Sequence, residues 1–213
     1  MALTFYHGAG SPFAWRVWLA LEHKGIEYQW RQLSFEAGEL RTADYVAINP
    51  RRRVPAIVDD GFALYESAAI VEYLDERFEG PRLFPGEARA RALVRRVVAE
   101  VDSYFKEPME RLVRQVFYLQ PDERDAAEIA AGAEGIADEL AFWESHLAGE
   151  FLAGPLSAAD YTLYPMIGLC QRMEKRHRDL IVTAAIGPRV RAWMRRIEAL
   201  PYFAKTWPAH WND

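Results

Sequence analysis

The chain has 213 residues, 51% of them hydrophobic and 27% charged, with a formal net charge of -5. That length accommodates one large domain or two small ones with a full core, and the acidic balance disfavours a general nucleic-acid surface. A single cysteine, Cys170, excludes an intrachain disulfide and suits a reducing cytoplasm, while no apolar run reaches the length of a membrane span and the N-terminus lacks the pattern of a signal peptide.

The first part alternates strand and helix signals. Leu3–Tyr6 reads as a strand, and Ser11–Lys24 as a helix that stops at Gly25. Ser11 is a good N-cap and Pro12 fits the first helical position. Free backbone N–H groups and the Ser11 hydroxyl then point at one spot, where the helix dipole favours an anion such as a thiolate. Ile26–Leu33 reads as a second strand, Glu36–Tyr45 as a looser helix, and Asn49-Pro50 breaks it. Val54–Val58 and Phe62–Leu64 are short strands joined by Asp59-Asp60-Gly61, which has hairpin chemistry. Glu66–Phe78 follows as a helix with Ile70, Val71, Tyr73 and Leu74 on its apolar face. The order βαβαββα, with a right-handed crossover making the first two strands parallel, is the thioredoxin-like arrangement.

After this, strand signals nearly vanish. Residues 80–87 read as a linker, which sets the expected domains at 1–79 and 88–213. Glu87–Tyr118 is one long helical pattern with a kink at Pro108. A helix restarts at Pro121-Asp122 and runs to about Leu147; others span Ser157–Lys175 and Pro188–Leu200. Ser157-Ala158-Ala159-Asp160 is a capping box, with Leu156 and Tyr161 placed as a hydrophobic staple, and its role is stability. The fold class is therefore α/β plus all-α. Cys170 sits in an apolar helical run as a buried, inert thiol. Among the basic clusters, Arg89–Arg96 reads as a solvated face.

Four blocks in order carry a resemblance to the cytosolic glutathione S-transferase superfamily. They are Ser11-Pro12-Phe13-Ala14-Trp15-Arg16-Val17, Asn49-Pro50-Arg51-Arg52-Arg53-Val54-Pro55-Ala56-Ile57, Leu64-Tyr65-Glu66-Ser67-Ala68-Ala69-Ile70 and Ser157-Ala158-Ala159-Asp160-Tyr161. The first block resembles the tau and omega classes, with Ser in place of the omega-class Cys. Ala14-Trp15-Arg16-Val17 resembles the zeta class, without the Ser-Ser-Cys that precedes it there.

The resemblance implies a detoxifying transferase with glutathione as cosubstrate and Ser11 as the catalytic residue that stabilises its thiolate. Phe13, Arg53, Val54, Pro55, Glu66 and Ser67 would bind glutathione. In that reading Val54-Pro55 is a cis-proline site whose backbone pairs with the cysteinyl unit, and Glu66 and Ser67 hold the γ-glutamyl end. Arg53 would meet the glycyl carboxylate, with Arg51 and Arg52 as competing candidates. Tyr104, Met109, Tyr164 and Trp207 would line a pocket between the domains for an apolar electrophile. Tyr6 is read as core or pocket wall. The resemblance also implies a cytoplasmic homodimer packed through the third and fourth helices, with no metal. A glutathione-dependent isomerase, peroxidase or β-etherase uses the same cradle. A non-catalytic interaction module has the same fold and no need of a complete cradle.

Overall fold

A computed structural model describes residues 3–177 and 179–211. The outermost ends of the expected domains, 1–2 and 212–213, and residue 178 lie outside them. Two compact units emerge: one reaches to Pro85 and resumes at Pro201, and the other is Gly86–Leu200.

The first unit holds β1 (Leu3–Gly8), α1 (Pro12–Lys24), β2 (Gln29–Leu33), α2 (Ala43–Ile48), β3 (Ala56–Asp59), β4 (Phe62–Tyr65) and α3 (Ser67–Arg77). The sheet order is β2-β1-β3-β4. β1 runs parallel to β2 and antiparallel to β3, and β4 returns antiparallel on β3, as the crossover and hairpin readings require. The hairpin turns at Asp60 (φ 46) and Gly61 (φ 88), backbone values that suit these residue types. Alternation on β1 buries Leu3, Phe5 and His7 on one face. Tyr6 on the other face packs with Leu40, Tyr45, Val54 and Ala56. α1 and α3 pack against each other.

The looser helix expected at Glu36–Tyr45 is split. Gly38 (φ 72) interrupts it, a single 3-10 turn spans Glu39–Arg41, and Thr42 then caps α2 by accepting from the Tyr45 N–H at 3.4 Å. A left-handed glycine cannot continue a helix, so the cap at Thr42 starts a new one.

The second unit holds α4 (Ala88–Glu100), α5 (Lys106–Val113), α6 (Ala126–His146), α7 (Ala158–Arg176) and α8 (Pro188–Glu198). The kink expected at Pro108 takes the form of a π-helical turn, Val101–Phe105, just before α5. Proline offers no N–H to the preceding turn and crowds its carbonyl, and a widened turn relieves both. Pro121 starts only a 3-10 turn; Asp125 caps α6, accepting from the Ala127 and Glu128 N–H groups at 2.8 and 3.4 Å. α7 is buried nearly all round from Ala158 to Cys170, as a central helix must be. Its capping box forms: Asp160 Oδ2 accepts from Ser157 N at 2.9 Å and Oγ at 3.2 Å. Asp160 Oδ1 further accepts from Leu152 N at 3.0 Å and Trp193 Nε1 at 2.8 Å.

The chain after Pro201 was expected within the helical domain. It packs instead on the first unit, through α9 (Phe203–Thr206) and a 3-10 turn at Ala209–Trp211. The reason is aromatic: Trp15 of α1 donates to Thr206 Oγ1 at 3.0 Å, and its ring meets Trp207 and Trp211 edge-on.

Candidate active site

Strand register decides what meets at the sheet's end. Ala56, the first residue of β3, pairs with Tyr6 on one side and Tyr65 on the other. The chain just past Tyr6, just before Ala56 and just after Tyr65 therefore leaves the sheet at one end. Those segments carry Ser11, Val54-Pro55 and Glu66-Ser67.

Ser11 is the N-cap of α1. Its N–H donates to Gly8 O at 3.1 Å, and its Oγ accepts from Ala14 N at 3.3 Å. A hydroxyl that accepts there still has its own O–H to donate. No acidic residue lies in the first turn of α1, so the positive end of the helix is not neutralised locally. Phe13 is half-buried, with the Arg16 guanidinium 5.7 Å above its ring.

The Val54-Pro55 peptide is cis. The loop before it is fixed by Asn49, a buried residue. Its Nδ2 donates to Arg53 O at 2.7 Å, while its Oδ1 accepts from Arg51 N at 2.9 Å. The Tyr45 hydroxyl donates to the same Arg53 carbonyl at 2.6 Å. Burial pushes that phenol up to about 12, so it stays a donor at any ordinary pH. Arg51, Arg52 and Arg53 are all exposed. In the sequence Asn49 reads as a helix break and as the first residue of the second block. An amide beside a proline turn was the available signal for its anchoring role.

Glu66 holds φ 72 and ψ 110 at the start of α3 and makes no side-chain cap bond there. A non-glycine residue in that region stores about 1–3 kcal/mol of strain, which surrounding structure must hold in place. Ser67, the first helical residue, is buried at 6% exposure.

Two glycines missed in the sequence shape the loop between β1 and α1. A Cβ on Gly8 would lie 2.5 Å from the Phe35 ring and 2.8 Å from Val54 Cγ2. Gly8 therefore lets the cis-proline loop and the Phe35 ring close on the end of β1. At Gly10 (φ 79) a Cβ would lie 3.0 Å from His210 Nε2 and 3.1 Å from Trp211 Nε1. His7, buried at 3% exposure, is lowered from 6.5 to about 4, by burial first and the charge of His210 second.

The expected electrophile residues fall on both units. On the helical unit Tyr104 is 64% exposed, whereas Met109 and Tyr164 are each 1% exposed, and the Tyr164 hydroxyl donates to Glu198 Oε1 at 2.9 Å. Met109 and Tyr164 thus present almost no surface as they stand. Trp207 on the first unit is half-buried against Trp15, Phe203 and Trp211. Cys170 is buried, and burial raises its thiol well above the usual range. Among the described residues, no helix is long and apolar enough to cross a membrane.

Comparison with known proteins follows the same two-part division. Residues 10–77 match the family model described as Glutathione S-transferase, N-terminal domain, and residues 126–196 match Glutathione S-transferase, C-terminal domain. Glutathione S-transferase 3 of Zea mays is 33% identical over 216 residues, covering 96% of this chain and 92% of that protein. A Vibrio cholerae protein named as a probable maleylacetoacetate isomerase is 30% identical over 225 residues, covering 100% of this chain and 99% of its own. The crystal structure of a glutathione S-transferase from the Antarctic clam Laternula elliptica superposes with a TM-score of 0.84 at 28% identity, covering 100% of this chain and 95% of that one.

Proposed function

The chain belongs to the glutathione S-transferase family, and from that premise we propose that it binds glutathione on its first unit, activates the thiol at Ser11 and conjugates it to an apolar electrophile. The observation that carries this reading is the meeting of three features at one end of the sheet. They are the α1 cap, the cis Val54-Pro55 peptide and the Glu66-Ser67 start of α3.

Each residue has a task that its chemistry supports. Glutathione brings two carboxylates, one ammonium and a thiol. Ser67, at the N-terminus of α3, offers hydroxyl and backbone N–H to a carboxylate. The strained backbone of Glu66 fixes its carboxylate for the ammonium. The Val54 backbone pairs with the cysteinyl unit in the manner of an added strand. Arg53 meets the glycyl carboxylate, on a backbone that Asn49 and Tyr45 hold still. Phe13 lies beside the cradle. The nucleophile is the sulfur of glutathione, and Ser11 donates its hydroxyl hydrogen to the thiolate. The helix N-terminus adds its partial positive charge. An ordinary thiol titrates near about 8.5; holding it charged at neutral pH takes a shift of ~2 units, or about 2.7 kcal/mol. One hydrogen bond to a charged acceptor and a helix terminus supply that much together.

Tyr104, Met109, Tyr164 and Trp207 remain our proposed electrophile residues, with Tyr104 the most accessible of the helical three. A homodimer and a cytoplasmic location complete the reading; exposed Phe62 on the open edge of β4 and exposed Leu93 on α4 supply apolar surface for the former. Kinship with a protein named as a maleylacetoacetate isomerase supports a second reading, a glutathione-dependent isomerase on the same cradle.

The test is the ultraviolet difference absorbance of glutathione on the purified protein, followed against pH. A thiolate band persisting at neutral pH supports activation. Saturating binding without the band overturns the role of Ser11. Absence of binding moves the reading to a non-catalytic module. A panel of conjugation and cis–trans isomerisation substrates separates the two enzymatic readings.

A further inference from the structure

The loop that carries Ser11 is contacted from the far end of the chain. Gly10, directly before Ser11, has φ 79, and a Cβ there would lie 3.0 Å from His210 Nε2 and 3.3 Å from its Cε1. The imidazole thus turns its titratable edge to the backbone one residue from the hydroxyl. His210 itself is exposed, so water reaches it.

The segment is held there by packing. Trp15 Nε1 donates to Thr206 Oγ1 at 3.0 Å, and Thr206 Oγ1 donates to Phe203 O at 2.9 Å. Trp211 is buried at 3% exposure, edge-on to Trp15 with centroids 5.3 Å apart, and its N–H donates to Pro208 O at 2.9 Å. A residue between two anchored tryptophans, Trp207 and Trp211, is positioned by its neighbours.

Other titratable and charged groups pack nearby. His7 on β1 is buried among Phe5, Trp18 and Trp30 and is kept neutral by that burial. Arg16 on α1 is buried with its guanidinium over Phe13. Lys205 on α9 pairs with Glu22 of α1 at 2.7 Å. Ser11 as a hydrogen-bond donor stabilises a thiolate but cannot take up its proton. An imidazole nitrogen can.

We propose that His210 is the proton acceptor for the thiol of glutathione bound at Ser11. The inference rests on the reading of Ser11 given above. The S–H bond breaks with its electron pair left on sulfur, and the proton joins Nε2 directly or through one water. The resulting imidazolium stands beside the thiolate as an opposite charge and afterwards releases the proton to solvent.

The experiment follows the thiolate band of bound glutathione against pH in the parent, in His210→Gln and in His210→Ala. An opposite charge nearby shifts a titration by a unit or more. The midpoint is therefore expected to rise by about one unit in both variants. Turnover at neutral pH should fall by up to about tenfold, in step with the thiolate fraction that a one-unit shift removes. Added imidazole should restore turnover of His210→Ala in a concentration-dependent way, which a purely structural loss would not allow. A midpoint equal to the parent's overturns the proposal. So does a shifted midpoint with no imidazole rescue. If the parent shows no band at all, the reading of Ser11 falls first and this proposal with it, a result distinct from the other two.

Discussion

Ser11 has two jobs that can be separated by substitution. As N-cap of α1 it accepts from Ala14 N at 3.3 Å, a contact whose loss to alanine costs about 1 kcal/mol. As donor to a bound thiolate it contributes about 1.5–3 kcal/mol, the range for a hydrogen bond to a charged group. That energy corresponds to roughly a tenfold to hundredfold change in thiolate fraction below the midpoint. Glycine at an N-cap costs only a few tenths of a kcal/mol relative to serine. Ser11→Ala and Ser11→Gly should therefore lose turnover alike, by about tenfold to a hundredfold at pH 6.5 with saturating glutathione. Only Ser11→Ala should lose about 1 kcal/mol in urea unfolding. Glutathione affinity, set mainly by Glu66, Ser67 and the Val54 backbone, should stay near the parent's by calorimetry. Turnover within twofold of the parent in both variants would refute the chemical role and leave Ser11 as a cap alone.

Ser67→Ala should weaken glutathione binding by about tenfold, the worth of one hydrogen bond to a carboxylate; an unaltered dissociation constant would count against that contact. Asp160→Asn should destabilise the protein by about 3 kcal/mol in urea. Each oxygen of Asp160 accepts at least one N–H that cannot reverse its role, Ser157 N on Oδ2 and both Leu152 N and Trp193 Nε1 on Oδ1, so an amide NH2 in either orientation faces a fixed buried donor and leaves it unsatisfied; a loss under about 1 kcal/mol would sink the argument. His7 titrates at about 4 in the fold against 6.5 ordinarily, so the native state binds fewer protons than the unfolded chain. Its contribution is complete above about pH 6.5 and is lost as pH falls through 4, a swing of roughly 3 kcal/mol. Unfolding curves from pH 7 to 4 should diverge between the parent and His7→Phe, and parallel curves would refute the assignment.

Local chemistry was readable where one residue type dictates one backbone state. Ser11 and Pro12 opened α1, Gly25 closed it in the left-handed conformation, and Asp60-Gly61 made the hairpin. Ser157 and Asp160 marked the start of α7 in the same way. The parallel pairing of the first two strands and the antiparallel hairpin were readable too, whereas the end of the sheet that Ser11, Val54-Pro55 and Glu66-Ser67 share is set by register. Periodicity misled where an apolar pattern ran through a break: Gly38 split one helix, and Asp125, not Pro121, began α6. The positive φ of Glu66 left no trace in the sequence, because glutamate is an ordinary residue at a helix start. Asn49, Gly8 and Gly10 matter through what touches them from elsewhere in the chain, and a linear pattern does not carry contacts. The placement of the segment after Pro201 depended on a bond between residues 191 positions apart, so its helical composition pointed to the wrong unit.

That same bond between Trp15 and Thr206 bears on how the protein comes into being. Synthesis proceeds from the N-terminus, and domains generally fold as they emerge. Here the thioredoxin-like unit cannot do so fully, because Thr206, Trp207 and Trp211 are the cover of its first helix and leave the ribosome only after the helical unit. The whole helical unit is made in between. Until then Trp15 on α1 lacks the rings that cover it, and an uncovered tryptophan is the kind of apolar surface that chaperones attend.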